Sequence, residues 1–404
     1  MLDLPAVRDL WLAGTGAGVM RWLEILAFGI FALALTGSPL AVALTSFARF
    51  LPLLLFGAPL GVLAERVDGR RLLVGAYAAM GLVEALAAVG AWAGLLGLWQ
   101  VGLVAFAAGT FWCVDIPVRR TLLAEAGGRD RVAVTMGLEM VTTHLTRMAG
   151  PALGGALYAA AGMPGVLALG ATLYLAGAVL IARTAPRPSQ APAAARGFVA
   201  DLLEGVALVR ADPRLLAIVA LTVNFNLWGL PYLGLVPVLA EARHGLGPAG
   251  TGLLAAAEGV GAVAGAVLVL ALARPAWFGP VLGLGCALFF AAVVLFALAP
   301  GPWLAGAALA AAGLGMAGFS AMQTVLPLAV VPAGLRVRVM GVVLVSIGSA
   351  PFGFVLAGAL GDRLGAGPAV GLMGALGLAA TGLCLWRWPM MARPTAGTPD
   401  AGGG

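Results

Sequence analysis

Long apolar stretches separated by short polar segments dominate the pattern of residues along the chain. A helix needs about 20 consecutive apolar residues to cross the roughly 30 Å hydrocarbon core of a bilayer. Twelve stretches reach this length, so the pattern predicts an all-α polytopic membrane protein with twelve transmembrane helices. The approximate limits of these spans are 11–36, 39–64, 72–96, 98–118, 132–160, 164–184, 213–240, 250–273, 278–299, 303–329, 339–361 and 367–387.

The longest polar segment divides the predicted spans into six plus six. Its first part is rich in Pro, Ala and Arg, as linkers are, and 197–211 has the composition of a short surface helix. A repeat supports two pseudo-symmetric bundles, because RVAVTMG (131–137) and RVRVMG (336–341) lead into spans five and eleven. The predicted domains are an N-terminal six-helix bundle at 1–184, a cytoplasmic linker at 185–212, a C-terminal six-helix bundle at 213–390 and a disordered cytoplasmic tail at 391–404.

The composition of the chain excludes a water-soluble enzyme. The chain is 62% hydrophobic and 10% charged, whereas soluble domains are about half apolar and about a quarter charged. Cys113, Cys286 and Cys384 all lie in apolar stretches and lack the spacing of metal ligands. They are therefore expected to be core residues rather than a disulfide framework or a zinc site.

The arginines orient the chain in the membrane. All 23 basic residues are Arg, and a cytoplasmic N-terminus places 18 of them inside and only Arg243 and Arg363 outside, with three within spans. This asymmetry follows the positive-inside rule and predicts that both termini are cytoplasmic, with the protein in the bacterial inner membrane. The net charge of +6 then reflects topology, and a nucleic-acid partner is not expected.

Ionisable residues at membrane depth are expensive and mark functional sites by default. Arg21 and Glu24 are three residues apart, so they share a helix face and are predicted to pair. On span five, Glu139, His144 and Arg147 lie within about 140° of one another around an ideal helix, so we expect them to face one interior cavity. Among the charged and imidazole residues at this depth are also Arg49, Glu84, Asp115 and Glu258.

These groups suggest a way to couple protons to movement. A carboxylate that alternates between desolvated and hydrated surroundings binds and releases a proton, and an imidazole titrates near neutral pH. The same residues also admit a structural interpretation, as ion pairs that hold the helices in register. The predicted proton-coupling residues are Glu139, Asp115, His144, Arg147, Glu24 and Glu84.

Other chemistries lack their motifs in the sequence. No two histidines share a span, so a metal site of imidazoles is not expected. The chain contains no Lys and hence no Walker A loop. Serines within the membrane have no base at a workable spacing for nucleophilic catalysis. We therefore predict neither a cofactor nor an enzymatic activity.

The loop between spans two and three, GAPLGVLAERVDGRRLL (57–73), resembles the signature loop of the major facilitator superfamily. Glu65 stands where that family usually has Asp, and Asp68 where it usually has Gly. The resemblance implies a charge latch between helix ends that favours one access state. The residues that it assigns to the latch are Gly61, Glu65, Arg66 and Arg70.

Span five contains RMAGPALGGAL (147–157), which resembles the G-P-x-x-G-G motif of the superfamily's drug:proton antiporters. Pro151 removes a backbone donor, and the glycines allow a neighbouring helix to approach closely. Packing alone is an equally good explanation of such a span. The motif residues are Gly150, Pro151, Gly154 and Gly155.

Further segments between Trp11 and Trp388 are similar to the branch of macrolide-efflux and enterobactin-exporter-like proteins. The resemblance implies a monomeric, proton-coupled exporter of small amphipathic molecules, with walls from spans one, four, seven and ten. The alternatives are an uptake symporter or lipid flippase on the same fold, a polytopic membrane enzyme, and a transport-dead sensor. The expected substrate cavity comprises Arg21, Glu24, Asn224, Phe225, Asn226, Trp228, Glu258 and Gln323.

Overall fold

The computed structural model describes residues 3–128, 131–184, 198–272 and 274–394, and the regular secondary structure in these ranges is helical. The long helices are α1 (Pro5–Thr36), α2 (Pro39–Arg66), α3 (Gly69–Trp92), α4 (Leu98–Gly127), α5 (Val132–Arg183), α6 (Phe198–Ala211), α7 (Pro213–Asn224), α8 (Tyr232–His244), α9 (Pro248–Leu272), α10 (Phe278–Leu298), α11 (Pro302–Val330), α12 (Arg336–Ile347), α13 (Ala350–Leu364) and α14 (Ala366–Arg387).

The helix α5 crosses the membrane twice. Its 52 residues would measure roughly 78 Å if straight, far more than a bilayer core. The helix breaks at Gly162, whose φ of 62° lies in the left-handed region that favours glycine. Eleven helical segments of the described chain are long and apolar enough to span, and the break in α5 turns them into twelve crossings. The predicted all-α fold with twelve spans is confirmed.

Two other spans are interrupted near their middle. A π-helical turn at Phe225–Gly229 joins α7 to α8 within the span Pro213–His244. A short break at Gly348 and Ser349 joins α12 to α13. Such irregular turns free backbone groups at membrane depth and often occur at functional sites.

The helices form an N-terminal bundle, α1–α5, and a C-terminal bundle, α7–α14, each with its own apolar core. Between them, α6 occupies the segment predicted to form a short helix and packs on α12, where Glu204 pairs with Arg338. Met391, the first residue of the predicted tail, is buried against Gly279 and Gly283 of α10. Residues 185–197 of the linker and 395–404 of the tail lie outside the described ranges.

We call the side at which α1 begins and α6 lies the linker side, and the opposite side, which holds 37–38 and 245–247, the far side. The bundles contact each other through α1·α8, α2·α8, α2·α13 and α5·α9. At the far side Asp362 of α13 accepts hydrogen bonds from the Ser38 hydroxyl (3.0 Å) and the Leu40 amide (3.1 Å). The acid thus caps α2 from the other bundle, as a carboxylate does at a helix N-terminus.

The contact between α5 and α9 covers only the far half of both helices. A Cβ added to Gly155 would overlap the Pro248 carbonyl, and one added to Gly259 would overlap the Met148 backbone. On the same faces nearer the linker side, Val141 and Leu270 are exposed, seven residues from Met148 and eleven from Gly259. Within the described residues, α5 and α9 are therefore in contact on the far side and separated on the linker side.

Candidate functional site

A buried arginine binds two carboxylates at the linker end of the N-terminal bundle. Arg119 donates from Nε and Nη2 to Asp115 (2.9 and 3.2 Å) and from Nη1 to Glu139 (2.8 Å). Asp115 lies one turn before Arg119 on α4, so the spacing aligns the two side chains. Gly14 of α1 makes room, because a Cβ there would overlap the Arg119 guanidinium.

Asp115 also contacts polar side chains of neighbouring helices. The Tyr77 hydroxyl donates to Asp115 over 2.9 Å, and Arg21 Nη2 lies 3.8 Å from its other oxygen. Glu139 has Arg120 at 3.8 Å as a more exposed second partner. Both carboxylates are thus compensated by arginines, as buried charges must be.

A second buried cluster lies deeper in the same bundle. Arg49 of α2 donates to Glu24 of α1 over 2.7 Å, and the Tyr174 hydroxyl donates to the other oxygen of Glu24 over 3.1 Å. Glu84 of α3 lies beside Glu24 and is completely buried. The predicted Arg21–Glu24 pair is not formed, because Glu24 turns into the bundle and Arg21 turns toward Asp115.

Trp112 of α4 stands between two arginines of these clusters. The Arg21 guanidinium lies 4.2 Å from the indole centroid and that of Arg49 lies 5.0 Å from it. Such cation–π contacts support a guanidinium whose donors are incompletely used. Phe50 packs edge-on against the same indole and stacks on Phe354 of the C-terminal bundle, which places Trp112 near the junction of the bundles.

An ion pair between α5 and α9 joins the two bundles. Arg147 of α5 donates to Glu258 of α9 over 2.8 Å, and its guanidinium lies 4.1 Å from the Trp22 ring. Trp22, Arg147, Tyr232 and Glu258 help to line a cavity of about 30 Å³, enough for one or two waters. The Arg147–Glu258 pair is thus the charged part of the contact between the bundles.

The three residues predicted to share a cavity on α5 are not joined in one network. Glu139 binds Arg119 and Arg147 binds Glu258. His144 is half-buried, and its Nδ1 has no partner among the described residues. Each of the two charges has its partner on a different neighbouring helix, Glu139 on α4 and Arg147 on α9, so a cavity common to the three residues stays a prediction.

Of the expected cavity residues in the C-terminal bundle, three are buried in its interior. Asn224 binds α14 through the Gly377 carbonyl and the Thr381 hydroxyl, and Phe225 stacks on Phe319 at 4.2 Å. The Asn226 amide donates to a carbonyl one turn earlier. These contacts stabilise the π-helical turn rather than a cavity wall.

Trp228 and Gln323 are half-buried, and Trp228 packs against the core of the C-terminal bundle. The Gln323 amide donates to the Thr222 hydroxyl over 2.9 Å, which joins α11 to α7.

The structure describes part of the expected latch. Asp68 caps α3 by accepting a hydrogen bond from the Arg71 amide (2.9 Å), and Arg70 donates to the Ala182 carbonyl at the end of α5. Gly61, Glu65 and Arg66 belong to the last turns of α2, and their side chains lie outside the described residues.

The motif on α5 faces both bundles. A Cβ on Gly150 or Gly154 would press on α1 at Trp22 and Leu23, whereas one on Gly155 would meet α9. The Pro151 carbonyl lies against Gly252 of α9. The motif is therefore a contact between bundles as well as within one.

Sequence reasoning missed several polar residues that complete the clusters. Arg119 is one of the 18 arginines that the sequence places on the cytoplasmic side, although its four-residue spacing from Asp115 is a signal for an ion pair. Tyr77, Tyr174 and Trp112 carried no signal, since aromatic residues are common in membrane helices.

In the described part of the chain, twelve spans in two bundles, joined at one side and carrying paired charges at membrane depth, have the architecture expected of a multi-pass membrane transporter of the major facilitator superfamily. The chain belongs to the family described as transmembrane secretion effector, whose model matches residues 2–397. This membership confirms the predicted superfamily and the expectation of a transporter rather than an enzyme.

Relatives agree with this assignment. Macrolide efflux protein A of Streptococcus pyogenes is 22% identical over 208 residues, which are 51% of this chain and 51% of that protein. The chain thus matches about half the length of this relative. The crystal structure of a point mutant of the nucleoside transporter NupG has a TM-score of 0.79 at 11% identity and covers 95% of this chain and 100% of that chain. The crystal structure of a bacterial homologue of the human lysosomal transporter Spinster, in an inward-facing and unoccupied conformation, has a TM-score of 0.70 at 15% identity. The match covers 96% of this chain and 95% of that chain. Both solved structures are similar to this chain in fold.

Proposed function

We propose that this transporter exports small amphipathic molecules in exchange for protons by alternating access, as a monomer in the bacterial inner membrane with both termini cytoplasmic. The observation that carries the proposal is the set of carboxylates buried at membrane depth, each expensive unless it has a use or a partner. In an exporter of this kind a carboxylate supplies the proton-binding step that drives transport uphill. The groups that we consider for this role are Glu24, Glu84, Asp115, Glu139 and His144 with Arg147.

The direction of transport is supported by the relatives. The family is described by secretion, and the relative from Streptococcus pyogenes is named for macrolide efflux. Both names indicate movement of a molecule out of the cell. An apolar junction between the bundles, with Trp22, Trp112 and Phe50 near the arginines, suits a substrate that is partly apolar and partly polar.

The closed far side suggests how access alternates. With the linker side cytoplasmic, a substrate enters between the separated halves of α5 and α9 from the cytoplasm. Release outward then requires the far-side contacts to break: the Gly155–Pro248 contact, the Arg147–Glu258 pair and the Asp362 cap on α2. Glu65, Arg66 and Arg70 act as the latch that holds one of the two states.

The test is a flux assay in proteoliposomes with an imposed pH gradient, using radiolabelled erythromycin and the dye ethidium as probes. We expect accumulation of at least one probe against its gradient, with the pH gradient as sole energy source and none after a protonophore is added. Transport that does not depend on the pH gradient would contradict proton coupling. If neither probe is transported, the proposed export of small amphipathic molecules is contradicted. Empty liposomes and a Pro151→Leu variant are the controls.

A further inference from the structure

Two carboxyl groups lie side by side in the N-terminal bundle with one arginine between them. Glu24 and Glu84 are both completely buried, and the charged residue that faces them is Arg49. Arg49 donates a hydrogen bond from Nη1 to one oxygen of Glu24, and the Tyr174 hydroxyl donates to the other oxygen. Glu24 is therefore satisfied as a carboxylate.

Glu84 has no such support. Neither of its oxygens receives a hydrogen bond from a donor in the part of the chain that the structure describes. It fills the space left by Gly170 of α5, where an added Cβ would lie 2.9 Å from Oε2. An isolated carboxylate buried in this way is far more costly than a neutral acid, and two adjacent carboxyl groups can bond to each other only if one carries a proton.

The surrounding helices supply no second cation to this pair within the described ranges. Helix α4 contributes Asp115 and Arg119, which are bound to Tyr77 and Glu139, and α1 contributes Arg21, which faces Asp115. Helix α5, which packs against both α1 and α3, contributes Tyr174, which donates to Glu24, and Arg147, which binds Glu258 instead. One arginine thus balances one of the two acids.

We infer that Glu24 and Glu84 form a proton-binding site that holds one proton in the state described, with Arg49 as counter-ion. The site has no access to solvent in this state, since both acids are fully buried. Proton exchange therefore requires another conformation, which is the property that a coupling site needs. The role of the site in coupling rests on the proposed function, whereas the presence of the bound proton does not.

The bound proton can be detected without a substrate. Infrared spectra of the purified full-length protein, recorded across a pH titration, should show the carbonyl stretch of a buried protonated acid near neutral pH. The signal should disappear in Glu84→Gln and persist in Glu241→Gln, a matched change of an exposed carboxylate on α8. A wild-type protein without this signal, or a signal unchanged in Glu84→Gln, overturns the inference.

Thermal stability gives an independent measurement. Glu84→Gln replaces one neutral group by another and should leave the melting temperature close to that of the wild type. Glu24→Gln removes the partner of Arg49 and should lower it clearly. Equal losses in the two variants would mean that both acids are ionised, and would overturn the inference.

The role in transport is tested last, in the proteoliposome assay with erythromycin and ethidium. Glu84→Gln should lose pH-driven accumulation at least tenfold while keeping downhill exchange, and Glu241→Gln should keep both. If wild-type protein shows the infrared signal but no pH-driven transport, the proposed function fails and the proton site stands. If Glu84→Gln still accumulates a probe as the wild type does, the pair is not the coupling site.

Discussion

Arg147 and Glu258 hold the two bundles together by the ion pair of 2.8 Å between α5 and α9. Both side chains are largely buried, at 13% and 5% exposure, and the arginine also stacks on Trp22. A pair of this kind stabilises the state in which it forms, because in the other state each charge must find water or another partner.

We predict that Arg147→Gln or Glu258→Gln opens the far side. Removing one member of a buried ion pair leaves the other charge uncompensated, at about 3–5 kcal/mol. The measurement is the distance between spin labels at Leu95 and Trp303, two exposed far-side positions on different bundles. The single variants should shift the distance distribution to longer values.

The control for this prediction is the charge exchange Arg147→Glu with Glu258→Arg, which restores the pair without the original side chains. The double variant should restore at least part of the population with the short distance between the spin labels. If the single variants leave the distribution unchanged, the ion pair does not hold the far side closed.

A second prediction concerns the glycine contact between α5 and α9. Gly155→Ala should weaken far-side closure, because its Cβ would overlap the Pro248 carbonyl and approach Gly252 at 2.9 Å. Overpacking of this kind costs about 1–3 kcal/mol. Gly137→Ala is the matched control, since it lies on the same helix with no atom near the added methyl group. Equal spin-label distances and melting temperatures in the two variants would refute the prediction.

The third prediction is the topology, tested by labelling single cysteines in intact cells. A membrane-impermeant thiol reagent should reach cysteines at Gly245 and Gly301 on the far side but not one at Asp68 on the linker side. The asymmetry of 18 arginines to two gives the physical reason. Cys384, which is only half-buried, is first replaced by Ser to remove background labelling. Labelling at Asp68 in intact cells would contradict the orientation.

The spans could be predicted from the sequence because the bilayer demands a fixed length of apolar residues and internal hydrogen bonding. The charged positions at membrane depth were visible for the same reason. Even the double crossing of α5 was predicted, since Gly162 and Pro164 interrupt an apolar stretch too long for one span.

The partners of those charges could not be predicted. The spacing of Arg21 and Glu24 says that they share a face of α1, yet each finds a partner on another helix, Asp115 on α4 and Arg49 on α2. Spacing along one helix determines which residues are neighbours on its surface, and tertiary packing decides which neighbour binds. The same limit explains why Arg119 was missed and why Phe225 was expected in a cavity wall.

The last prediction separates the two acids that share Arg119. Asp115 accepts two hydrogen bonds from Arg119 and one from Tyr77, and lies near Arg21, whereas Glu139 accepts one from Arg119. Asp115→Asn should therefore cost about 3–5 kcal/mol of stability, because it leaves two buried arginines with one acid. Glu139→Gln should cost about 1–3 kcal/mol, since Arg119 keeps Asp115 and the amide oxygen still accepts a hydrogen bond.

Thermal unfolding in detergent should rank the wild type above Glu139→Gln and Glu139→Gln above Asp115→Asn, with Glu241→Gln equal to the wild type. Because Arg119 already compensates Glu139, we expect Glu139→Gln to retain pH-driven accumulation of the probes that Glu84→Gln loses. The reverse result, uphill export lost in Glu139→Gln with unchanged stability and retained in Glu84→Gln, would place the coupling proton on Glu139. In that case Arg119 would be the counter-ion from which movement of α5 separates the acid.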